Sequence, residues 1–144
     1  MAMFRKDFQD LATVRIREAE SLLAAGLFDG AYYLAGLAVE CALKACIAKA
    51  TQQYEFPDLN RTRALHTHNL DDLLREAGLR ETMLSADRQI KLEWGKVSAW
   101  RIEMRYQLGV SKADAAEFVR VIAGTQGILT RLTQYWWSPT SLGT

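Results

Sequence analysis

Apolar residues recur at helical spacing along most of the chain, and the longest such stretch covers residues 29–50. Between residues 31 and 48 its only charged side chains are Glu40 and Lys44. A helix that is apolar around most of its circumference is buried on most sides. The pattern therefore predicts that this stretch is the central helix of a bundle. Glu40 and Lys44, four residues apart with the acid first, are expected to pair on one face of it.

An amphipathic helix is predicted before the central one. Its apolar positions recur at helical spacing, with charged residues between them, and they are Phe4, Phe8, Leu11, Ala12, Ala19, Leu22 and Leu23. Gly26 is predicted to end this helix, and Asp29 is predicted to cap the start of the central helix. The short connection indicates an antiparallel hairpin.

A long loop and a short helix are predicted after the central helix. Residues 51–67 have no apolar periodicity and include Pro57. A loop of that length is uncommon in a compact domain and suggests a role of its own. A third helix follows, with His68 or Asn69 as its cap, and Gly78 is predicted to end it.

A fourth helix is predicted between residues 85 and 106. Its apolar stripe falls at gaps of four, three, three and four residues, at Ile90, Trp94, Val97, Trp100 and Met104. Arg101 and Arg105 would then share a neighbouring face of this helix. Their simplest interpretation is a solvated face, or one paired with Glu103.

The last predicted helix begins after Gly109 and extends to Trp136. Ser111 and Asp114 are spaced for an N-terminal cap. Gly124 and Gly127 would lie inside this helix, and each costs about 1 kcal/mol relative to alanine, so a close helix crossing is expected there.

The sequence contains no strand-like alternation and no internal repeat, so it predicts an all-α fold. We expect an up-and-down bundle of four to five helices. One domain is expected over residues 1–137, and residues 138–144 are expected to form a frayed tail.

The composition of the chain excludes few classes of function. Of the 144 residues, 49% are hydrophobic, and the formal net charge of +1 gives no overall attraction for nucleic acid. An RNA contact would need a local basic patch. Cys41 and Cys46 point in different directions on one helix and are expected to be buried free thiols. The N-terminal residues have no signal-peptide pattern, which predicts a soluble cytoplasmic protein without a membrane span.

The phosphate-binding glycine loop, the zinc-site spacing and the serine elbow are all absent from the sequence. Two groups of polar residues remain as candidates for catalysis or ligand binding. The first is His66 with His68. The second is a later group, Arg101, Glu103, Arg105 and Tyr106. Histidine with arginine can cleave RNA without a metal. The alternative for the histidines is a helix cap and loop anchor, and neither a metal site nor a cofactor is predicted.

The aromatic residues have two interpretations as well. They could form a base-stacking platform, but core or dimer-interface positions are commoner for the set Trp94, Trp100, Trp136 and Trp137. Tyr32 and Tyr33 fall under the same two interpretations. The number of aromatic residues for this chain length favours a homodimer.

Three segments of the chain resemble a HEPN domain. They are AYYLAGLAVECALKACIAK, HTHNLDDLL and WRIEMRY, and they fall within residues 15–107. The positions that carry the resemblance are Ala31, Leu34, Ala35, Ala38, Val39, Glu40, Leu43, Lys44 and Ala45, then His68 and Leu70, then Arg105 and Tyr106. The resemblance implies a dimeric helical bundle, often a toxin or defence component encoded beside a minimal nucleotidyltransferase.

Catalytic HEPN domains cleave RNA without metal through an Arg-x(4–6)-His motif at the start of a late helix, paired across the dimer. This chain has no histidine after His68. Arg61 to His66 and Arg63 to His68 match the spacing, but they lie before the third helix.

Three hypotheses follow from the resemblance. In the first, the domain binds a nucleotide, RNA or a nucleotidyltransferase partner in a cleft formed by His68, Arg101, Arg105 and Tyr106. Glu40 and Lys44 would hold the bundle together or orient Arg105. In the second, the protein is a metal-independent ribonuclease that uses His66 or His68 with Arg105. In the third, it is a structural or interaction module without a ligand.

Overall fold

The structure, a computed structural model, describes residues 5–52 and 66–137, with side chains for residues 5–48 and 66–136. Every regular element in these two ranges is helical, which confirms the all-α prediction. The elements are α1 (Arg5–Ala24), α2 (Phe28–Gln52), α3 (Leu70–Glu76), α4 (Arg80–Leu84), α5 (Arg88–Ser98), a 3₁₀ helix (Ile102–Tyr106), α6 (Lys112–Ala123) and α7 (Ile128–Trp137).

The first two helices form the predicted hairpin. Gly26 has a φ of +80°. The amide of Leu27 donates to Leu22 O at 2.9 Å, and that of Gly26 to Leu23 O at 3.1 Å. Together these bonds form a Schellman motif, which confirms Gly26 as the stop of α1. The cap prediction for Asp29 is wrong, because α2 begins at Phe28 and the Asp29 carboxylate instead accepts from the Val110 amide at 2.8 Å.

Helix α2 is the centre of the bundle, as predicted. Every residue from 38 to 47 is buried, and α2 packs against α1, α3, α6, α7 and the 3₁₀ helix. By length and composition, residues 28–48 could also cross a membrane, but 72% of the 18-residue apolar window within that stretch is buried inside the protein, which is expected of a core helix. Cys41 and Cys46 are buried, as predicted, and neither forms a disulfide.

The third helix begins where it was predicted. The Asn69 side chain accepts from the Asp72 amide at 3.0 Å and is therefore the cap of α3, which leaves His68 outside this role. The predicted loop over residues 51–67 can be compared only at its ends. Residues 51 and 52 still belong to α2, and residues 53–65 lie outside the described residues.

The fourth predicted helix is divided, so the prediction of one helix through residue 106 is wrong. A short helix, α4, precedes it, and α5 ends at Ser98. The chain then turns, and the fully buried Trp100 packs against α2 at Gly36, where a Cβ atom would overlap the indole Nε1. Arg101 is extended, with φ −132° and ψ 147°. Arg101 and Arg105 therefore do not share a helix face.

The last predicted helix is also divided. Ser111 Oγ accepts from the Asp114 amide at 3.0 Å, which confirms the start of α6. The helix ends at Ala123, and α7 starts at Ile128, so Gly124 and Gly127 lie in a turn rather than inside a helix. A Cβ on Gly127 would be 2.7 Å from the carbonyl oxygens of α6. The close approach is therefore within the turn, and the predicted helix crossing is wrong.

Candidate functional site

The buried carboxylate of Glu40, on the central helix, has two polar partners, the ammonium of Lys44 and the imidazole of His68. Lys44 Nζ lies 3.1 Å from Glu40 Oε2. His68 Nδ1 lies 3.0 Å from each Glu40 oxygen. The side chains of Glu40 and Lys44 are only 5% and 9% exposed, whereas that of His68 is 48% exposed. These residues form a polar cluster that is buried at one end and open at the other.

The fold brings the cluster together through α2 and α3. Glu40 and Lys44 are one turn apart on α2, so their side chains lie on one face. His68 immediately precedes Asn69, the cap of α3. Helix α3 packs against α2 through its buried apolar residues, Leu70, Leu73 and Leu74. The hydrophobic contact therefore fixes the position from which the imidazole reaches Glu40.

The contact with Glu40 determines how the imidazole can act. A carboxylate that accepts from the Lys44 ammonium is an acceptor only, so His68 Nδ1 carries the hydrogen and donates it. In the neutral ring, Nε2 is then an acceptor. Within the described residues, Nε2 makes no hydrogen bond, and the ring is half exposed. The contact of Nδ1 with Glu40 therefore orients the His68 ring, and Nε2 is available to bind a ligand.

The charges of the cluster favour an anionic ligand over a cationic one. The carboxylate of Glu40 and the ammonium of Lys44 cancel, and protonation of His68 gives the cluster a net charge of +1. Because the ion pair is buried, only the imidazole can contact a ligand directly. A phosphate group meets both requirements, because it is an anion and one of its oxygens can accept a hydrogen bond from His68 Nε2.

Cys41 adjoins this cluster but is not suited to nucleophilic chemistry. Burial raises the pKa of the Cys41 thiol to about 11, and the negative charge of Glu40 adds to the effect, against opposing contributions from Lys44 and Arg15. The thiol is therefore protonated at neutral pH, and the thiolate is the reactive form.

The other predicted histidine is not part of the cluster. His66 is exposed and makes no hydrogen bond or ion pair to a residue that the structure describes. Arg61 and Arg63, which match the Arg-x(4)-His spacing with His66 and His68, lie outside the described residues.

The predicted arginine group lies on the segment between α5 and α6. Arg101 donates to the carbonyl oxygens of Ser98 and Trp100, both at 3.0 Å, and so satisfies the end of α5. The Arg105 guanidinium lies 4.9 Å from the centre of the Tyr106 ring. No hydrogen bond or ion pair of the described residues connects Arg101, Arg105 or Tyr106 with Glu40, which orients His68 instead.

The arginine segment nevertheless starts close to the cluster. Tyr33, Gly36, Glu40 and Lys44 follow one another at helical spacing on α2. Trp100 covers Gly36 and stacks on Tyr33 with ring centres 6.0 Å apart. Gly36 precedes Glu40 by about one turn, roughly 6 Å along the helix axis. Trp100, the residue before Arg101, therefore packs on α2 about one turn from the polar cluster.

The domain is an all-helical bundle around an apolar central helix that contains the buried Glu40–Lys44 ion pair. The sequence model of the HEPN domain matches residues 7–133 of the 144. The chain belongs to the HEPN domain family. No curated protein and no solved structure matches the chain significantly. Among the described residues, no group of three or more His, Cys, Asp and Glu side chains is arranged to hold a metal ion.

Proposed function

We propose that this HEPN domain binds RNA or a nucleotide through a phosphate group at His68. The observation that carries the proposal is the contact of His68 Nδ1 with Glu40, which leaves Nε2 directed away from its buried partner. Membership of the HEPN family supports a nucleotide-related function. Lys44 contributes from within, because its ammonium pairs with the carboxylate and holds it in place.

Binding follows from ordinary hydrogen-bond chemistry. A protonated imidazole donates Nδ1–H to Glu40 and Nε2–H to a phosphate oxygen. Hydrogen bonds to charged groups contribute about 1.5–3 kcal/mol, which corresponds to roughly tenfold to 150-fold in affinity. The domain's net charge of +1 adds little general attraction, so the affinity depends on this local contact.

A second candidate function is metal-independent RNA cleavage, which the same hydrogen bond favours. Neutral His68 can take the proton of a ribose 2′-hydroxyl at Nε2. The 2′-oxygen then attacks the neighbouring phosphorus, the bond from phosphorus to the 5′-oxygen breaks, and the 5′-oxygen takes a proton from water. The products are a 2′,3′-cyclic phosphate and a 5′-hydroxyl. Glu40 stabilises the imidazolium that forms.

The biological setting that we propose rests on the family. A HEPN domain of this kind would act in the cytoplasm as part of a toxin–antitoxin or defence system, as a homodimer, with a nucleotidyltransferase-type protein as its partner. Purification of the chain together with the product of a neighbouring nucleotidyltransferase gene, with the two proteins eluting as one species, tests this setting.

The two histidines provide a matched pair of variants for testing the site. Fluorescence anisotropy with labelled single-stranded RNA and with nucleotides, in the presence of EDTA, measures binding, and a denaturing gel of the same samples measures cleavage. We expect His68→Ala to weaken RNA binding about tenfold or more and His66→Ala to leave it unchanged. Circular dichroism verifies that both variants are folded.

Each result decides between the candidates. Cleavage by the wild type that His68→Ala loses would establish the ribonuclease, and binding without cleavage would establish the binding domain. Equal binding and equal cleavage by the wild type and His68→Ala would refute a role for this site in either function. If the wild type neither binds nor cleaves RNA, the remaining hypothesis is a structural or interaction module without a ligand.

A further inference from the structure

A cavity of about 330 Å³ lies between the start of α2, helix α6 and the segment that connects α5 to α6. The rings of Tyr32 and Phe118, stacked with their centres 4.0 Å apart, are part of its lining, and Met104 and Val110 add apolar surface. Sites for small organic molecules have volumes of this order and are mostly apolar with a few polar groups. No residue of the polar cluster lines the cavity, so it is separate from the proposed phosphate site.

Two polar groups of the lining have no bonding partner among the described residues. The Asp114 carboxylate forms no ion pair and accepts no hydrogen bond there, and the Tyr32 hydroxyl forms no hydrogen bond. Burial raises the pKa of Tyr32, and the negative charge of Asp114 adds to this effect. The carboxylate therefore lies close enough to the phenol to act on it, and both groups are available to a ligand in the same part of the cavity.

The other charged residues of the lining are already compensated. Glu117 pairs with Lys96 at 3.1 Å and with Arg120 at 2.7 Å. Arg120 also lies 4.0 Å from Glu93. The two acids and the two bases of this network balance one another, which leaves Asp114 as the uncompensated charge of the cavity. An anionic ligand would place a second negative charge beside Asp114, whereas a cation would neutralise it.

We propose that this cavity binds a small organic cation, a primary amine that carries an aromatic ring. The ring of the ligand packs against the apolar lining beside Tyr32 and Phe118. Its ammonium group donates a hydrogen bond to the Asp114 carboxylate, and a charged donor with a charged acceptor makes a strong bond. The aromatic lining favours the same ligand, because the faces of aromatic rings attract cations. The site therefore selects its ligand by charge as well as by shape.

The first test compares three compounds of similar shape and different charge. NMR titration of the isotope-labelled full chain measures the binding of tryptamine (a cation), indole-3-ethanol (neutral) and indole-3-propionate (an anion). We expect tryptamine to bind with a dissociation constant of about 1 mM or lower and to shift the amide signals of Val110 and Asp114. The neutral compound should bind about tenfold more weakly or worse, and the anion more weakly still. Equal binding of the three compounds, or no binding of tryptamine at about 10 mM, would overturn the proposal.

The second test locates the contact of the ammonium group. Asp114→Asn removes the charge and should weaken tryptamine binding about tenfold or more, whereas Asp114→Glu keeps the charge and should restore most of the binding. Glu103→Gln is the matched control, because Glu103 is an exposed carboxylate outside the cavity lining. An acid in the first turn also stabilises α6, so circular dichroism verifies that each variant is folded. An Asp114→Asn variant that binds tryptamine as tightly as the wild type would overturn the proposal.

The third test separates the cavity from the proposed phosphate site. His68→Ala should bind tryptamine as the wild type does, because His68 does not line the cavity. Adding AMP to the complex with tryptamine should leave the shifted signals of Val110 and Asp114 in place. Loss of tryptamine binding in His68→Ala would show that the two sites are one. Displacement of tryptamine by AMP would assign the cavity to nucleotides, and either result would overturn the proposal.

Discussion

The imidazole of His68 lies 3.0 Å from both oxygens of the Glu40 carboxylate, although the two residues are 28 positions apart in the chain. The carboxylate also accepts from the Lys44 ammonium at 3.1 Å. One buried acid on the central helix thus orients the half-exposed imidazole and neutralises a buried base. The same residue therefore contributes to the stability of the bundle and to the geometry of the site.

Replacing Glu40 by glutamine should destabilise the protein strongly. The substitution keeps the shape of the side chain but leaves the Lys44 ammonium, 9% exposed, without its counter-ion. Removing one partner of a buried ion pair typically costs about 3–5 kcal/mol. We expect Glu40→Gln to lower the free energy of unfolding by about 3 kcal/mol in urea denaturation at pH 7.

The matched control for Glu40→Gln removes the buried charge altogether. The double variant Glu40→Gln/Lys44→Met has no unpaired ammonium, so it should recover more than about 1 kcal/mol relative to Glu40→Gln alone. If Glu40→Gln and the wild type unfold at the same urea concentration, the ion pair does not contribute to stability.

Gly36 should tolerate no side chain, because the indole of Trp100 occupies the position of its Cβ atom. Forcing an extra methyl group into a packed core costs about 1–3 kcal/mol. We expect Gly36→Ala to lower the melting temperature by several degrees, since about 1 kcal/mol shifts the melting temperature of a domain of this size by roughly 2–6 °C. Differential scanning calorimetry measures this shift.

A second helical glycine provides the control for Gly36→Ala. Gly95 lies on the exposed side of α5, and a Cβ atom there would meet nothing within 4 Å. Gly95→Ala should raise the stability by about 0.5–1 kcal/mol, because alanine loses less conformational entropy than glycine in a helix. Two variants of equal stability would show that Trp100 does not pack against Gly36 as described.

The features that the sequence predicted correctly depend on neighbouring residues. The caps at Asn69 and Ser111 and the stop at Gly26 each involve a hydrogen bond between residues at most five positions apart. The burial of α2 follows from its composition alone. Such local signals are present in any short window of the sequence.

The features that were missed depend on contacts between distant parts of the chain. The stripe through Trp94 and Val97 continues at helical spacing to Trp100, yet the helix ends at Ser98 and the Trp100 indole packs against Gly36, 64 positions earlier. The pairing of His68 with Glu40 gives no signal in the sequence either, since nothing in the spacing of 28 residues specifies a contact. The polar residues of the site and the pairing of Glu40 with Lys44 were predicted, but the contact of His68 with Glu40 was not.

Acid should weaken the protein in part through Glu117. The hydrogen bonds from Arg120 and then from Lys96 lower the pKa of the Glu117 carboxyl from 4.5 to about 2. A carboxyl whose pKa is lower in the folded state stabilises that state above the unfolded pKa, and the contribution is lost as the pH falls. The loss should therefore occur between about pH 4.5 and about pH 2.

Two measurements test the role of Glu117. NMR titration of the side-chain carboxyl should give a midpoint near 2. Urea denaturation from about pH 4.5 down to about pH 2, the range between the unfolded and the folded pKa of Glu117, should show a shallower fall in stability for Glu117→Gln than for the wild type. Glu103→Gln is the control, because Glu103 is an exposed carboxylate without an ion pair among the described residues. A Glu117→Gln variant with the same pH dependence as the wild type and Glu103→Gln would show that the contacts with Arg120 and Lys96 do not persist in solution.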